Sequence, residues 1–253
     1  MNTLVKIVGF PATLIHGDTL VWDRWRWLKK RLPKANGQKL IDVGCGSGAF
    51  TIGTAKKGFN SLGLSWDTRN QAVAAERAQL SGVTKNIQFD IQDVRKLDER
   101  AEYKQQFDVA ICLEVIEHIL NDQKVLNDIS GTLKKGGKLL LTAPFFGYKA
   151  IVPSDDGPFL TVETGWHVRR GYWEKDLRPM LEKAGFEVQE VSYCSGYFSQ
   201  KITGIMWRNQ HKAKILTWLI ILPLRILPPL FDGIIRKLTK WPDYSIGVVA
   251  KKI

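Results

Sequence analysis

The sequence predicts an α/β protein built on a seven-stranded, mostly parallel sheet, with a helical insertion before the last strand. Three observations predict this fold: short apolar runs alternate with helical stretches, a glycine-rich turn follows the first run, and one more apolar run closes the chain. Parallel strands need crossover connections, which are usually helices that cover both faces of the sheet. At 253 residues, one large core with an appended segment fits the length better than two full domains.

The predicted strands are short apolar or alternating runs bounded by turn residues. In chain order they are QKLIDV, NSLGLSW, IQFDIQD, FDVAICLEV, KLLLTAP, FEVQEVSY and YSIGVVAKKI. Helices are predicted after the glycine turn and over TRNQAVAAERAQLSG, NDQKVLNDISGTL and EKDLRPMLEKAG, with a turn at KKGG. Residues 38–195 and 244–253 therefore form the predicted main domain.

Residues 1–37 form a predicted basic helical segment. Its helix runs from about residue 18 to 32, capped by Asp18 or Thr19 and ended by Pro33, with Leu20, Trp27 and Leu28 at helical spacing. The first residues carry one Lys and a short apolar run broken at Gly9-Phe10-Pro11, so we do not expect a signal peptide.

The net charge of +12 is concentrated at the two ends of the chain. Residues 1–37 carry seven basic and two acidic residues (+5), residues 38–195 carry 20 and 21 (−1), and residues 196–253 carry ten and two (+8). Such ends suit a polyanionic partner, which is either a nucleic acid or an anionic membrane surface.

The three cysteines, Cys45, Cys112 and Cys194, are widely separated in the sequence. They are typical of reduced thiols in a cytoplasmic protein. No His, Cys and carboxylate set has metal-binding spacing, so the sequence indicates no metal site and in particular no magnesium site.

A glycine turn, Gly44-Cys45-Gly46-Ser47-Gly48-Ala49, lies between the first strand and the next helix. Such a turn brings a ligand against a helix N-terminus. Taken alone, it also satisfies the looser dinucleotide fingerprint G-x-G-x-x-A, so it does not by itself choose between cofactors.

The motifs LIDVGCGSG, FDIQDV, FDVAICLEVIEHI and LKKGGKLLLTAP occur in this order. Together they resemble the successive motifs of class I S-adenosylmethionine-dependent methyltransferases, nearest to the branch of ubiquinone and menaquinone biosynthesis enzymes. The resemblance covers about residues 38–195 and the last strand. It implies a Rossmann-like sheet with an antiparallel last strand, and S-adenosylmethionine as the cofactor.

The resemblance also implies the cofactor-binding residues. Asp42 and the turn Gly44, Cys45 and Gly46 would meet the amino-acid end of the cofactor, where an ammonium and a carboxylate need an acid and backbone N–H groups. After the third strand, Asp93 would accept a hydrogen bond from the adenine amino group, with Val94 nearby, and the alternative for Asp93 is a helix cap. Cys112 and Leu113 would line the methionine part through their backbone carbonyls.

The second strand departs from the family pattern at its end. The family usually has an acid there for the ribose hydroxyls, whereas GLSWD places Ser65 at this position. Asp67 either substitutes for that acid or only caps the next helix. Trp66 would lie over the adenine with its flat apolar face.

Methyl transfer from a sulfonium is an in-line displacement, so the protein must align the nucleophile and, for a hydroxyl, accept its proton. Candidate catalytic residues follow the fourth and fifth strands. We predict His167, His118 and Glu163, in that order. The alternatives are a structural role for His118 and a solvent-facing position for His167.

The segment 196–243 is a predicted helical insertion. Its apolar run Ile215–Leu222 ends at Pro223, and a membrane span needs roughly 20 apolar residues. Three interpretations remain open: a cap that closes the active site, a segment that binds an anionic membrane surface, or a homodimer interface. Tryptophans interleaved with lysines and arginines favour the membrane surface as much as the cap.

The sequence therefore predicts S-adenosylmethionine-dependent methyl transfer to a small-molecule or lipid-linked acceptor, at oxygen. We expect a cytoplasmic enzyme that is also membrane-peripheral if its acceptor is a lipid. One alternative is a nucleic-acid methyltransferase that uses the basic ends, which the neutral centre disfavours. The other is a cofactor-binding scaffold without activity.

Overall fold

The computed structural model describes residues 2–15, 18–209 and 214–253. Its seven strands form one sheet in the order β3-β2-β1-β4-β5-β7-β6, in which β7 runs antiparallel to both of its neighbours. The strands are β1 (Lys39–Val43), β2 (Asn60–Ser65), β3 (Ile87–Ile91), β4 (Phe107–Leu113), β5 (Leu133–Pro144), β6 (Phe186–Cys194) and β7 (Ser245–Lys252). The predicted fold class is confirmed.

One predicted turn is part of a strand. KKGG lies within β5, where Phe107 pairs with Leu133 but Val109 pairs with Lys138. The additional residues form a bulge in which Gly136 has a φ of +77°. Residues on both sides of the bulge pair with β4. The strand therefore begins before the turn residues, at Leu133.

Ten helices are present in the parts of the chain that the structure describes. They are α1 (Thr3–Val8), α2 (Phe10–Ile15), α3 (Thr19–Arg31), α4 (Ala49–Lys56), α5 (Thr68–Leu80), α6 (Asp122–Thr132), α7 (Glu174–Lys183), α8 (Tyr197–Asn209), α9 (Lys214–Leu224) and α10 (Leu227–Thr239). Short 3-10 helices cover Val94–Glu99, Ala101–Tyr103, Ile116–His118 and Pro153–Asp156.

The sheet separates two apolar clusters, and successive residues of each central strand point to opposite sides. Ile41 and Leu139 belong to the cluster that α6 and α7 cover, whereas Leu40 and Leu140 belong to the cluster that α3 covers. This alternation is the period of a strand buried on both faces.

The predicted N-terminal helix is confirmed as α3, and Asp18 is its cap, accepting a hydrogen bond from the Val21 N–H at 3.1 Å. Trp27 packs so closely on β7 that a Cβ at Gly247 would lie 2.5 Å from its ring. The basic segment is therefore part of the core and covers one face of the sheet.

Helices α8, α9 and α10 lie in the chain between β6 and β7. Asp232 of α10 accepts a hydrogen bond from the Phe198 N–H at 2.7 Å, and Ser199 of α8 donates one to Asp23 of α3. The three-helix segment is thus fastened to the N-terminal helix. Among the residues with described positions, no helix combines the length and the apolar character that a membrane span requires.

Candidate active site

A cavity of ≈ 360 Å³ lies at the carboxyl ends of the central parallel strands. Its lining comes from the glycine turn after β1, from the ends of β2, β3 and β4, and from residues 163–165 of the loop after β5. Loops at the carboxyl ends of parallel strands form the usual ligand crevice of this sheet type. The cavity includes eight of the predicted site residues, namely Gly44, Gly46, Ser65, Trp66, Asp93, Val94, His118 and Glu163.

The glycine turn needs its glycines for two different reasons. Gly44 has a φ of +86°, and a Cβ there would lie 2.5 Å from Cγ2 of Val115. Gly46 has a φ of +52°, and a Cβ there would meet no described atom within 4 Å, so this side of the turn is open to a ligand. The N–H groups of Gly44 and Cys45 both donate to the Leu64 carbonyl, at 3.1 and 2.8 Å. Gly44 therefore serves by lacking a side chain. Its N–H is not free for a ligand, whereas the family pattern implied that it would be.

Asp42 lies elsewhere than the resemblance implied. Its side chain is 1% exposed, and Oδ2 accepts a hydrogen bond from the Thr51 hydroxyl at 2.6 Å. Burial raises the pKa of this carboxyl to about 7. Asp42 shares the side of β1 with Leu40, which is the side that α3 covers. Its carboxyl contacts Thr51 of α4 and does not line the cavity.

At the end of β2, Asp67 acts as a helix cap, and its contact with the ribose stays a prediction. Its carboxylate caps α5 by accepting from the N–H groups of Arg69 and Asn70, at 2.8 and 3.3 Å. Asp67 does not border the cavity, whereas Ser65 and Trp66 do. The indole of Trp66 is 65% exposed, so a large apolar face is available at the cavity wall.

Asp93 borders the cavity and also caps the 3-10 helix that follows it, accepting from the Arg95 N–H at 3.0 Å. The Arg95 guanidinium pairs with the same carboxylate and holds its pKa below the usual range. The cap and the predicted adenine contact are compatible, because a carboxylate has several acceptor positions.

Glu114 and Val115 border the cavity immediately after β4. Cys112 and Leu113 lie within β4, and their side chains are 0% and 7% exposed in the core. The contact of their backbone carbonyls with the cofactor stays a prediction. Glu114 has a φ of +56°, which turns the chain away from the sheet immediately after the strand.

Glu163 fastens the loop after β5 to the rim of the cavity. One carboxylate oxygen accepts from the Leu120 N–H at 2.5 Å, and the other pairs with Arg95. Both carboxylate oxygens therefore have partners, and these contacts hold the loop after β5 at the cavity. The catalytic role of Glu163 stays a prediction.

His118 and His167 meet beside the cavity, with ring centroids 4.7 Å apart and an interplanar angle of 76°. His118 ends the short 3-10 helix after β4, and His167 comes from the loop after β5. The loop is held there because the Val168 N–H donates to the Glu117 carbonyl at 3.0 Å and Arg169 donates to the Ile119 carbonyl at 2.8 Å.

The charges at this pair are set by burial. Burial lowers the pKa of His118 and lowers that of His167 to about 4, so both imidazoles are neutral at pH 7. Burial also raises the pKa of the adjacent Glu117 carboxyl well above its usual range. Both histidine side chains retain about 30% exposure, so a small molecule can reach them.

Arg24 is a site residue that the sequence did not indicate. It reaches from α3 to Glu114 and forms an ion pair, with Nη2 and Oε2 2.9 Å apart. Helical spacing showed which face of α3 is apolar, but no pattern in the sequence pairs a residue of α3 with the end of β4.

The cavity fits S-adenosylmethionine by its chemistry. The open side of the turn at Gly46 leaves space for the amino-acid part, and Trp66 offers a flat surface for a ring. Asp93 and Glu114 supply carboxylates for amino groups. A cavity of this size is also within the range of small-molecule sites.

Known proteins are similar to this chain in sequence and in fold. Residues 34–185 match the family described as methyltransferase domain. A ubiquinone biosynthesis O-methyltransferase of Actinobacillus pleuropneumoniae serotype 7 (strain AP76) is 28% identical over 188 residues, which are 70% of this chain and 77% of the relative. The enzyme of the same name from Haemophilus ducreyi (strain 35000HP) is 25% identical over 194 residues, covering 74% and 79%.

Two solved structures show the same fold. Phosphoethanolamine N-methyltransferase 2 of Haemonchus contortus, in complex with S-adenosyl-L-methionine, has a TM-score of 0.64 at 20% identity, covering 99% of this chain and 58% of that one. An S-adenosylmethionine-dependent methyltransferase of Mesorhizobium loti has a TM-score of 0.60 at 17% identity, covering 94% and 100%. Because the family match spans more than half of the chain and includes the glycine turn, the chain belongs to the methyltransferase domain family and is an S-adenosylmethionine-dependent methyltransferase.

Proposed function

We propose that the enzyme methylates a hydroxyl oxygen of a small aromatic molecule. The curated relatives named above are O-methyltransferases of ubiquinone biosynthesis, which supports oxygen as the acceptor atom. A phenolic hydroxyl suits the site because its pKa of about 10, as in tyrosine, makes proton removal feasible near neutral pH.

The His118–His167 pair is the observation that carries this proposal. Bound S-adenosylmethionine supplies a methyl group on a positively charged sulfur. The acceptor oxygen must lose its proton as it attacks the methyl carbon, while the carbon–sulfur bond breaks and its electron pair stays on sulfur. A neutral imidazole can accept that proton, and His118 lies in the cavity wall with His167 in contact behind it.

We further propose that the acceptor is carried in a membrane and that the α9–α10 face rests on the bilayer surface. This face consists of apolar side chains that are at least one third exposed: Leu219, Ile220, Leu222, Ile226, Leu230, Phe231, Ile234 and Leu238. The exposed Lys237 and Lys240 lie on the same two helices or at their end, and residues 196–253 carry a net charge of +8. Apolar area together with basic residues is typical of segments that bind anionic lipid surfaces.

The helix α3 connects this face to the cavity. Asp23 accepts a hydrogen bond from Ser199 in α8, and the next residue, Arg24, pairs with Glu114 in the cavity wall. A surface that docks on lipid through α9 and α10 would thus be connected to the acceptor site through two packed helices, α8 and α3. The three free cysteines agree with a reducing, cytoplasmic location for the enzyme.

The proposed activity is tested with radiolabelled S-adenosylmethionine and a catechol that carries a long alkyl chain, presented in anionic phospholipid vesicles. We expect an aryl methyl ether, formed faster than with a water-soluble catechol. A panel that includes an amine acceptor and a duplex oligonucleotide tests the alternatives. Methylation of either of these without any ether product would overturn the proposal, and methyl transfer to any acceptor excludes an inactive scaffold.

A further inference from the structure

A chain of charged hydrogen bonds crosses the rim of the cofactor cavity. Nε of Arg95 lies 2.9 and 3.0 Å from the two carboxylate oxygens of Asp93, and Nη1 lies 2.5 Å from Oε2 of Glu163. The other Glu163 oxygen accepts from the Leu120 N–H. Asp93 follows β3, Leu120 follows β4 and Glu163 follows β5. One guanidinium thus joins loops that come from three different strands.

Glu163 anchors the segment that carries it, which we call the rim loop (residues 160–166). The rim loop forms no helix or strand, and six of its seven residues are exposed, whereas Glu163 is half-buried. Exposed segments with few buried contacts open at low free energy. Three residues of this loop, Glu163, Thr164 and Gly165, line the cavity. The contacts of Glu163 therefore influence how often the cavity is closed on this side.

The Arg95–Glu163 contact is weak as long as water reaches it. The side chain of Arg95 is 48% exposed and that of Glu163 is 19% exposed. Ion pairs at such exposure contribute little, because water screens the charges. A ligand that fills the cavity displaces water from the rim and lowers the local dielectric constant, which strengthens the attraction.

Asp93 places the same guanidinium next to the cofactor. Asp93 lines the cavity, and the family resemblance assigns its carboxylate to the adenine amino group. Because Arg95 donates to both oxygens of Asp93, the carboxylate has a fixed orientation before a ligand arrives. Any ordering of Asp93 by adenine is passed directly to Arg95.

We propose that Arg95 is a positioning residue that couples cofactor binding to closure of the rim loop. With the cavity filled, Arg95 is held between Asp93 and Glu163, and the rim loop stays against the cavity. By linkage, the closed loop binds the cofactor more tightly by the same factor. His167 follows the rim loop directly in the chain, so closure also fixes the proton acceptor, and this last step rests on the proposed function.

Hydrogen exchange of the full chain, read by mass spectrometry with and without S-adenosylhomocysteine, tests the coupling. In the unchanged protein we expect the ligand at saturation to slow exchange in the rim loop by about 10-fold or more. In Arg95→Met this slowing should be lost, and calorimetry should show binding weakened by about 5-fold or more. Glu163→Gln should lose the slowing as well. The double variant should resemble the single ones in the rim loop, because each removes the same contact.

Two further variants separate the coupling from a general loss of charge. Arg100→Met is the matched control, because Arg100 lies in the same segment after β3, pairs with Glu102 and does not line the cavity. It should behave as the unchanged protein does. Arg95→Lys keeps the charge but lacks the planar fork that contacts both carboxylates, so it should recover affinity only in part.

Thermal unfolding of each variant without ligand checks that it is folded. Equal exchange in the rim loop of the unchanged protein with and without S-adenosylhomocysteine would overturn the proposal. So would a full slowing in Arg95→Met. Faster exchange in Arg95→Met at unchanged affinity would show a structural tie without coupling, and this also contradicts the proposal. Because these measurements contain no acceptor, their outcome is independent of whether the proposed function is correct.

Discussion

The Arg24 guanidinium in α3 and the Glu114 carboxylate after β4 form an ion pair at 2.9 Å, with only 11% and 12% of their side chains exposed. The pair joins the N-terminal helix to the wall of the cofactor cavity. Glu114 keeps a left-handed backbone conformation there, with a φ of +56°. The basic N-terminal segment is therefore a structural part of the active site.

Replacing Arg24 should destabilise the protein because it leaves Glu114 buried without its cation. In Arg24→Met we expect the free energy of unfolding to fall by about 3 kcal/mol. The double variant Arg24→Met/Glu114→Gln should recover most of that loss, because the uncompensated charge is gone. Arg178→Met is the control, since the side chains of Arg178 and its partner Glu174 are 41% and 42% exposed and such a pair contributes less than about 1 kcal/mol. Urea unfolding measures all four proteins, and equal losses in the single and double variants would contradict this account.

Asp23 should make stability depend on pH. Burial raises its pKa from 3.8 to about 6, so the folded protein holds this proton more tightly than the unfolded chain. The contribution of Asp23 to the free energy of unfolding is then largest below pH 4 and is lost as the pH rises through 6, by up to about 3 kcal/mol. Asp23→Asn keeps an acceptor for Ser199 and should remove this contribution.

The difference between Asp23→Asn and the unchanged protein isolates this effect, because Asp42, with a pKa of about 7, acts with the same sign in both. Urea unfolding at pH 4 and at pH 7.5 should show the variant more stable at the higher pH only. Parallel stability profiles of the two proteins would show that Asp23 does not titrate in this way.

The α9–α10 face should determine binding to lipid. The unchanged protein should sediment with vesicles that contain phosphatidylglycerol, and less so as salt increases. Ile234→Glu/Leu238→Glu adds two charges on α10, at side chains 52% and 77% exposed, and should stay in the supernatant. Ile7→Glu, at a residue of α1 that is 76% exposed, is the matched control and should still sediment.

The same variants distinguish the other interpretations of the 196–243 segment. A homodimer interface would appear as a concentration-dependent dimer that Ile234→Glu/Leu238→Glu dissociates in the absence of vesicles. A cap over the site would appear as reduced turnover of a soluble acceptor in that variant, with no binding of the unchanged protein to vesicles. Either result would replace the membrane surface as the function of this face.

Local patterns predicted most of the fold. The alternation of apolar runs and helical stretches located the strands and the helices between them, and Asp18 and Pro33 marked the ends of α3. Strand parity could also have placed Asp42 inside the protein, since it lies two residues after Leu40 and thus on the same covered face of the sheet. The resemblance to a family instead assigned it to the cofactor.

The remainder of the site depends on contacts between distant segments. His118 was predicted from its motif, but its contact with His167 and the buried carboxylate between them follow from how the loop after β5 folds back. The Arg24–Glu114 pair has the same origin. Local periodicity carries no information on such contacts, so the cofactor half of the site was more predictable than the acceptor half.

Calorimetric titration with S-adenosylhomocysteine tests the central claim, that the glycine turn and its cavity bind the cofactor. The account predicts one site in the unchanged protein and in Gly131→Ala, a control at a helical glycine where a Cβ would meet no described atom within 4 Å. It predicts loss of binding in Gly44→Val, whose side chain would meet Val115 at a φ of +86°, with folding checked by circular dichroism. A folded, unchanged protein that gives no binding heat and no thermal shift, or a folded Gly44→Val that binds equally well, would contradict it.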